Sequence, residues 1–506
     1  ILDHYDIVFF DQRGVGLADV LDCPTATDRN AEEWYEFPED GDWMVAAEIE
    51  KRWVERCMDE MGRPDVIPFL STDHAIADLE LFRQTMGYDQ MILYGESYGT
   101  AFAQAYAQEY PGSVERLVLD GTVDPTLNDL QDAKSLAAGL ESTLALVFSA
   151  CDEDPYCRAD IGGPAATAYD EVMARLESGP GSASIQTGPG EWEDRSLDAE
   201  GLSSIAFSNV YFPDDRRIFL RALAAAAERD DYIPLMRLST TDQFSGSSTV
   251  VLYGVDCLDA VIPGTDSAAE VNALETAWNQ MERHSWLVQS DLACAFWPGA
   301  HHSNSVPSAF VGRGIPTMVV AATADPTTPY TQGQSVFARL SDGWMLTVSG
   351  GSHVMFGVGD QCVDGAVTDF LLGEPVDREL TCDAGVIAPY LPLIPASIDE
   401  ASIEQVLEGI DNDLYLRPEW VYYYEEEDLE VGCSYGGKAT FSYTDSGAAY
   451  VLDECAFTST LVVSGEGAWD YGRGTSTMRM ELAGFECPYA YRQDWESGVI
   501  RATEDC

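Results

Sequence analysis

Four short apolar runs, rich in β-branched residues and each followed by a polar or glycine-containing turn, predict strands buried on both faces of a parallel sheet. They occupy residues 5–10, 91–94, 115–120 and 315–322. Between the first two, STDHAIADLELFRQTMG (71–87) has one apolar face, capping residues at its start and Gly87 at its end, which predicts a helix. Alternating buried strands and helices are typical of an α/β fold.

The middle of the chain has a different pattern. From about residue 128 to 310, amphipathic or alanine-rich segments predict helices, and no apolar run there is as strong as the four predicted strands. The strand-and-turn pattern returns at GIPTMVVAATADPTTP, which begins at Gly314. A helical insertion inside an α/β core predicts a lid, and a separate helical domain is the alternative.

The last quarter of the chain changes pattern again. Several prolines between residues 374 and 400 predict a linker with a short helix. After about residue 415, runs such as ATFSYT and STLVVSG alternate with Gly, Ser and Asp turns, which predicts a small antiparallel β domain. The predicted segments are a first part of the α/β core without its N-terminal strands (1–127), a helical lid (128–311), a second part of the core (312–382), a linker (383–414) and the β-rich domain (415–506).

Composition restricts the partners. The 506 residues include 87 acidic and 27 basic ones, which gives a formal net charge of −60. Such a chain repels nucleic acid, and its sequence has no basic cluster to bind one. No apolar run approaches the roughly 18–20 residues of a membrane span. The length predicts two or three domains.

The cysteines indicate a redox compartment. Twelve of them, an even number spread over the whole chain, predict a disulfide-bonded protein outside the cytosol. None has the spacing of a zinc site, so neither a metal nor another cofactor is expected. No signal peptide is seen, but the chain opens at Ile1 inside a predicted strand, so we expect its natural start to be missing.

The pattern G-x-S-x-G occurs twice, around Ser97 and around Ser434. Ser97 follows a strand run and precedes the alanine-rich stretch TAFAQAYAQ, which predicts the sharp strand-to-helix turn of a nucleophile elbow. Ser434 lies beside Cys433 between two strand runs, with no helical pattern and no histidine after it. We therefore interpret Ser97 as the nucleophile and Ser434 as a turn residue.

A serine hydroxyl needs a base to remove its proton and a carboxylate to orient that base. His353 lies in the glycine-rich loop GGSHVMFG after a strand run, and Asp325 follows the preceding strand run in VVAATADPTTP. The chain order Ser97, Asp325, His353 is that of the α/β-hydrolase triad. These three residues are therefore the predicted catalytic residues.

An oxyanion hole requires two donors. The backbone N–H of Tyr98, directly after the nucleophile, is predicted to be one of them. The second normally comes from a loop after an earlier strand, and no HGG-type loop precedes YDIVFFDQRG. This donor is therefore expected upstream of Ile1.

Five motifs in the same order resemble the tripeptidyl-aminopeptidase and proline-iminopeptidase group of α/β hydrolases. They are YDIVFFDQRGVGLAD, LYGESYGT, RLVLDGTVDP, TADPTTP and GGSH. The cysteine contexts DCP, VDCLDA and CAFWPG are similar to those of the secreted tripeptidyl-aminopeptidase-like branch. The resemblance covers residues 1–382. It implies an α/β-hydrolase sheet with a large helical lid, to which the β-rich C-terminal domain is added.

The resemblance also implies an activity. Peptides would be hydrolysed from a free N-terminus through an acyl-enzyme on Ser97, with lid carboxylates holding the α-amine. Asp256, Asp259 and several lid glutamates are candidates, and the sequence does not choose among them. Implied disulfides are Cys23–Cys57, Cys257–Cys294 and Cys362–Cys382, with the four tail cysteines pairing among themselves.

Other functions remain open on the sequence. A serine carboxypeptidase is the nearest, because GESY also suits that family. A carboxylester hydrolase is another, since a triad does not distinguish amides from esters. A non-catalytic binding protein on a hydrolase scaffold belongs to a different class. The tail could contact a surface or a glycan through WVYYYEEE (420–427), and an edge strand packed on its neighbour explains that stretch equally well.

Overall fold

The chain is described by a computed structural model that covers residues 4–18, 20–35, 42–239, 249–281, 283–300, 307–395, 401–421, 423 and 427–506. It divides into two compact units. The first unit comprises Ile1–Leu146 and Gly246–Val386, and the second comprises Val147–Ser245 and Ile387–Cys506. Residues of the predicted lid are thus divided between the units, and the predicted segment boundaries stay predictions.

Helices of the described ranges are numbered along the chain. They are α1 (Pro24–Tyr35), α2 (Trp43–Glu60), α3 (Thr72–Met86), α4 (Tyr98–Glu109), α5 (Asp129–Glu153), α6 (Pro155–Asp160), α7 (Ala165–Ser178), α8 (Ala199–Ser208), α9 (Pro213–Arg229), α10 (Ile233–Leu238), α11 (Thr249–Asp259), α12 (Ser267–Trp278), α13 (Trp286–Gln289), α14 (Tyr330–Arg339), α15 (Gln361–Leu372), α16 (Ile403–Tyr415) and α17 (Pro418–Val421).

Strands are numbered in the same way. They are β1 (Met91–Glu96), β2 (Val114–Asp120), β3 (Gly181–Gly188), β4 (Glu191–Leu197), β5 (Thr317–Ala322), β6 (Gly343–Ser349), β7 (Glu379–Asp383), β8 (Leu429–Gly432), β9 (Lys438–Thr444), β10 (Gly447–Ala456), β11 (Val462–Asp470), β12 (Thr475–Leu482), β13 (Tyr489–Asp494) and β14 (Val499–Glu504).

The first unit contains a parallel sheet in the order β1-β2-β5-β6-β7. Its alternate residues enter two apolar clusters, as the two-residue period of a strand requires. Leu117 and Leu119 pack with Tyr106 of α4, whereas Val118 packs with Phe370 of α15. The strand predictions at 91–94, 115–120 and 315–322 are confirmed, and so is the α/β-hydrolase fold class.

The predicted strand at residues 5–10 is wrong. These residues are described, but they have no strand conformation, and β1 is hydrogen-bonded only to β2 within the described sheet. Phe9 is 92% exposed, and the ring of Phe10 lies 6.5 Å from that of Phe82 and 6.3 Å from that of Phe102. An apolar run becomes a strand only when a neighbouring strand satisfies its backbone groups.

The middle segment, predicted as a helical lid, also contains a pair of strands. Strands β3 and β4 form an antiparallel hairpin with Gly190 in the left-handed region at φ 79°. Polar residues dominate both strands, so no apolar run marks them in the sequence. Strand β7 was also missed, because it lies between residues 374 and 400, where several prolines favoured irregular structure.

The second unit contains an antiparallel sheet in which β8 to β14 follow one another in chain order. Helix α16, inside the predicted linker 383–414, buries Val406, Ile410 and Leu414 in the same apolar cluster as Phe441 and Trp469 of the sheet. The predicted C-terminal antiparallel domain is confirmed. Partly buried ion pairs within this unit join Arg221 to Asp413 and Arg237 to Glu419.

All twelve cysteines lie in the described ranges, and each is paired. The pairs are Cys23–Cys57, Cys151–Cys157, Cys257–Cys294, Cys362–Cys382, Cys433–Cys455 and Cys487–Cys506. The three pairs implied by the resemblance are confirmed, and the four tail cysteines pair among themselves. Six disulfides fit an oxidising compartment outside the cytosol. In the described part of the chain, no helix combines the length and apolarity needed to cross a bilayer.

Candidate active site

Ser97 occupies the turn between β1 and α4. Its backbone lies at φ 51° and ψ −123°, a region that side-chain-bearing residues seldom occupy. The backbone N–H of Ser97 donates to the carbonyl oxygen of Asp120 at 2.9 Å, which ties the turn to the end of β2. A strained turn held in this way presents the serine side chain at the carboxyl edge of the sheet.

The two glycines that flank Ser97 have different roles. A methyl group at Gly95 would overlap the carbonyl oxygen of Gly99, because strand and helix approach each other closely there. A methyl group at Gly99 would meet nothing within 4 Å. Close packing in this turn therefore requires glycine at position 95 but not at position 99.

Asp325 and His353 lie in direct contact, in the loops that follow β5 and β6. Asp325 Oδ2 is 3.0 Å from His353 Nδ1 and also accepts the Thr328 hydroxyl at 2.6 Å. The other oxygen, Oδ1, accepts the backbone N–H groups of Thr327 and Thr328 at 3.0 and 2.8 Å. With this carboxylate at Nδ1, the ring is set to carry its proton there and to leave Nε2 as the base.

His353 and the turn at Ser97 lie at the same edge of the parallel sheet, because both contact residues at the end of β2. A methyl group on Gly121 would lie 3.1 Å from His353 Cε1, so the ring packs directly over this glycine. Gly121 follows Asp120, whose carbonyl oxygen accepts the N–H of Ser97. The three predicted catalytic residues therefore come from strand ends that share one edge of the sheet.

Asp120 is a site residue that the sequence reasoning missed. Its buried carboxylate accepts the backbone N–H groups of Met355 and Phe356 at 3.1 and 2.8 Å and the Tyr94 hydroxyl at 3.0 Å. Burial raises the pKa of Asp120 to about 6, although these hydrogen bonds oppose the shift. The carboxylate thus anchors the loop that carries His353, in which Val354 has φ 64°. The only signal in the sequence is an aspartate that directly ends an apolar strand run.

Tyr98 is the first residue of α4, so its backbone N–H has no acceptor within the helix, as the predicted oxyanion role requires. Its phenol hydrogen-bonds to the Thr72 hydroxyl at 2.6 Å, and the backbone N–H of Thr72 donates to Asp259. The second donor, expected upstream of Ile1, stays a prediction.

A cleft of about 910 Å³ begins at Tyr98 and is lined by parts of α3, α4, α5 and α11 and by the segment around Asp291. We call it the acidic pocket. Its carboxylate-bearing residues are Asp73, Glu109, Asp124, Asp129, Asp132, Asp256, Asp259 and Asp291. Among the described residues that line it, none is a lysine, an arginine or a histidine. Both aspartates named from the sequence, Asp256 and Asp259, are in the lining.

The carboxyl groups of the acidic pocket raise each other's pKa. Desolvation, with the charges of Asp129, Asp259 and Asp132 added, raises the pKa of Asp256 to about 7. The pKa of Asp132 rises to about 6 and that of Asp291 rises strongly, again mainly through desolvation. Sequence reasoning missed Asp129, Asp132 and Asp291 because they come from segments far apart in the chain.

One group of described residues has metal-ligand spacing, namely Asp360, Cys362 and Cys382. The two sulfur atoms are joined in a disulfide, so they cannot serve as thiolate ligands. This cluster therefore does not fit a metal ion.

Two family models match separate parts of the chain. A family model described as TAP-like protein matches residues 281–382, and one described as alpha/beta hydrolase fold matches residues 1–159. Serine protease Hip1 of Mycobacterium tuberculosis is 28% identical over 404 residues, which are 73% of this chain and 73% of that protein. Tripeptidyl aminopeptidase of Streptomyces lividans is 23% identical over 409 residues, covering 75% and 70%.

Two further matches were found. Carboxylesterase B of M. tuberculosis is 28% identical over 394 residues, covering 74% of this chain and 72% of that protein. A solved proline iminopeptidase of Mycobacterium smegmatis has a TM-score of 0.25 at 13% identity, over 61% of this chain and 73% of that chain, and so low a score supports no argument. The family models and the relatives support a TAP-like α/β hydrolase.

Proposed function

We propose that the chain is a serine peptidase that releases short peptides or single residues from free N-termini. His353 Nε2 removes the proton of the Ser97 hydroxyl, whose oxygen attacks the scissile carbonyl carbon. The backbone N–H of Tyr98 donates to the resulting oxyanion, and His353 then protonates the leaving amine. Water hydrolyses the acyl-enzyme by the same route, with Asp325 holding the imidazolium throughout.

The observation that carries this proposal is the acidic pocket beside Tyr98. Cationic α-amines are attracted to a cleft lined by carboxylates, whereas the C-terminal carboxylate of a carboxypeptidase substrate is repelled. At 4 Å and an effective dielectric constant near 20, each such pair is worth about 4 kcal/mol before desolvation. The pocket therefore favours an aminopeptidase over a serine carboxypeptidase.

Blocked peptides test this proposal. One tripeptidyl anilide is assayed with a free and with an acetylated N-terminus, and a matched hexapeptide is assayed with a free and with an amidated C-terminus. We expect acetylation to abolish cleavage and amidation to leave it intact. If only the amidated peptide resists cleavage, the enzyme is a carboxypeptidase. Hydrolysis of short acyl esters without any anilide cleavage would identify a carboxylester hydrolase instead.

We also propose that the protein acts outside the cytoplasm and that its C-terminal domain contacts a surface or glycan. Disulfides support the location. Three rings of the C-terminal sheet support the contact, since Tyr443, Tyr471 and Trp495 are 46%, 47% and 37% exposed. Part of the stretch named from the sequence, residues 422 and 424–426, lies outside the described residues. Co-sedimentation with insoluble polysaccharide tests the contact, and loss of binding in Trp495→Ala is the expected result.

A further inference from the structure

We propose that the acidic pocket holds a second cation beside the peptide's α-amine, so that preferred substrates carry an arginine or lysine in the released N-terminal segment. This inference rests on the proposed aminopeptidase function. It is carried by two independent features of the pocket, which are carboxylates without an ion pair and buried amide oxygens without a donor among the described residues.

Five aspartates of the pocket form no ion pair with a described residue, although the charge of His74 acts on Asp259 and opposes the rise of its pKa. They are Asp129, Asp132, Asp256, Asp259 and Asp291. Three of them accept hydrogen bonds from neutral donors, which are the backbone N–H groups of Val261 and Thr72 and the amide of Gln332. Neither Asp256 nor Asp291 has a hydrogen-bond partner within the described part of the chain.

Other acidic side chains of this unit are paired with arginine. Asp124, on the wall of the same pocket, contacts Arg339 at 2.7 and 3.0 Å, and Glu80 contacts Arg83 at 2.8 Å. Buried acidic side chains of this unit can also be satisfied by neutral donors, as Asp120 and Glu50 are. Among the described residues, Asp256 and Asp291 have neither kind of partner.

Two glutamines of α4 give the second observation. Gln104 lines the pocket and is 99% buried, since its relative exposure is 1%. Its Nε2 donates to the carbonyl oxygens of Thr100 and Val123, which fixes the orientation of the amide and leaves Oε1 without a partner among the described residues. Gln108, one turn further on, lines the same pocket and also has a buried, unpartnered Oε1.

Buried acceptors without a donor are unfavourable, so these amide oxygens indicate a ligand that brings N–H groups. A single α-ammonium carries one charge and three donors, which is few for five carboxylates and two amide oxygens. An arginine side chain adds a second charge and five donors in a planar fork, and a lysine adds one charge and three donors. The pocket volume leaves room for both groups of one peptide.

The test is a set of tripeptidyl anilides with free N-termini that differ at one position. Arginine is compared with citrulline, and lysine with norleucine, so that size is nearly constant and charge is not. We expect kcat/KM for the arginine peptide to exceed that for the citrulline peptide by at least about tenfold, chiefly through KM, which corresponds to about 1.4 kcal/mol.

Variants of the pocket aspartates show where the preference for arginine over citrulline arises. Asp291→Asn is expected to reduce the arginine-to-citrulline ratio severalfold and Asp256→Asn to do the same. Asp65→Asn, the same substitution at an exposed residue outside the pocket, is the matched control and should leave the ratio unchanged. Labelling of Ser97 by a fluorophosphonate probe reports whether each variant is folded and retains its nucleophile.

The pH dependence gives a separate readout. Asp256, with a pKa raised to about 7, faces Asp129 and Asp132 of α5, Asp259 of its own helix, Asp291, and the phenols of Tyr98 and Tyr253. Below pH 7 its carboxyl group is protonated and no longer attracts a cation. KM for the arginine peptide should therefore rise about tenfold between pH 8 and pH 6, as expected for one group of that pKa. The citrulline peptide should change less.

Equal kcat/KM for the charged and neutral peptides would overturn the inference, while cleavage of the neutral peptides would leave the aminopeptidase proposal standing. An arginine preference that Asp291→Asn and Asp256→Asn both leave intact would also overturn it, because the preference would then arise elsewhere. Failure to cleave any peptide with a free N-terminus would overturn the proposed function and, with it, this inference.

Discussion

Ser97 and Ser434 occupy the same five-residue pattern and differ in what surrounds them. Ser97 lies at φ 51° between the parallel strand β1 and helix α4. Ser434 lies in the connection between the antiparallel strands β8 and β9, next to Cys433, which is bonded to Cys455. Gly436 and Gly437, at φ 126° and 78°, allow that connection to turn tightly.

The difference shows that topology, and not the local pattern, makes a serine a candidate nucleophile. After a parallel strand, the ends of neighbouring strands lie at the same edge, so loops from β5 and β6 can bring Asp325 and His353 to the turn at Ser97. An antiparallel turn joins only its own two strands. The segments of the second unit moreover contain no histidine in their sequence.

The largest expected effect separates the two serines directly. Ser97→Ala should lower kcat on a tripeptidyl anilide by on the order of 10⁴–10⁶, because the attacking oxygen is lost. Ser434→Ala should leave kcat unchanged. Steady-state rates of both purified variants provide the measurement, and comparable losses in the two would remove the distinction drawn here.

A second prediction concerns Asp325, whose carboxylate lies at the edge of the sheet where Ser97, but not Ser434, is located. Asp325→Asn preserves size but replaces an acceptor of the His353 Nδ1 proton by an amide, which favours the wrong tautomer. We expect kcat to fall by about 10⁴, with a much smaller change in KM. Full activity in this variant would mean that another residue orients the base.

A third prediction compares the two glycines that flank Ser97, Gly95 and Gly99. Gly95→Ala places a methyl group against the Gly99 carbonyl oxygen and should destabilise the fold by about 1–3 kcal/mol. Gly99→Ala meets open space in a helix and should be neutral or stabilising, by up to about 1 kcal/mol. Chemical denaturation monitored by circular dichroism measures both, and equal destabilisation would contradict the geometry of the turn.

The smallest effect is expected at Asp120, a positioning residue. Asp120→Asn removes one of the acceptors that hold the loop of His353, so kcat should fall about tenfold, equivalent to about 1.4 kcal/mol, at unchanged KM. In the wild type, kcat should also decline as pH falls through about 6, where Asp120 takes up a proton and loses an acceptor. The decline of kcat with falling pH should be weaker in Asp120→Asn. An unchanged kcat would show that the loop does not need this anchor.

Local patterns in the sequence were sufficient for much of the fold and for the proposed triad. The strand before Ser97, the helix after it and the loops of Asp325 and His353 each have a period or a turn that marks them. The acidic pocket has no such mark, because Asp129, Asp256 and Asp291 meet only after α5 and α11 have folded together with a distant loop. The strand prediction at residues 5–10 was wrong for the opposite reason. Their apolar pattern is clear, but the described sheet offers them no hydrogen-bonded neighbour.

The central claim is that Ser97, and not Ser434, is the activated nucleophile. Its most direct test is labelling of the wild-type protein with a fluorophosphonate probe, followed by mass spectrometry of the modified peptide. The account predicts a single adduct on Ser97 that is lost in Ser97→Ala and retained in Ser434→Ala. An adduct on Ser434, or labelling that persists in Ser97→Ala, would contradict it.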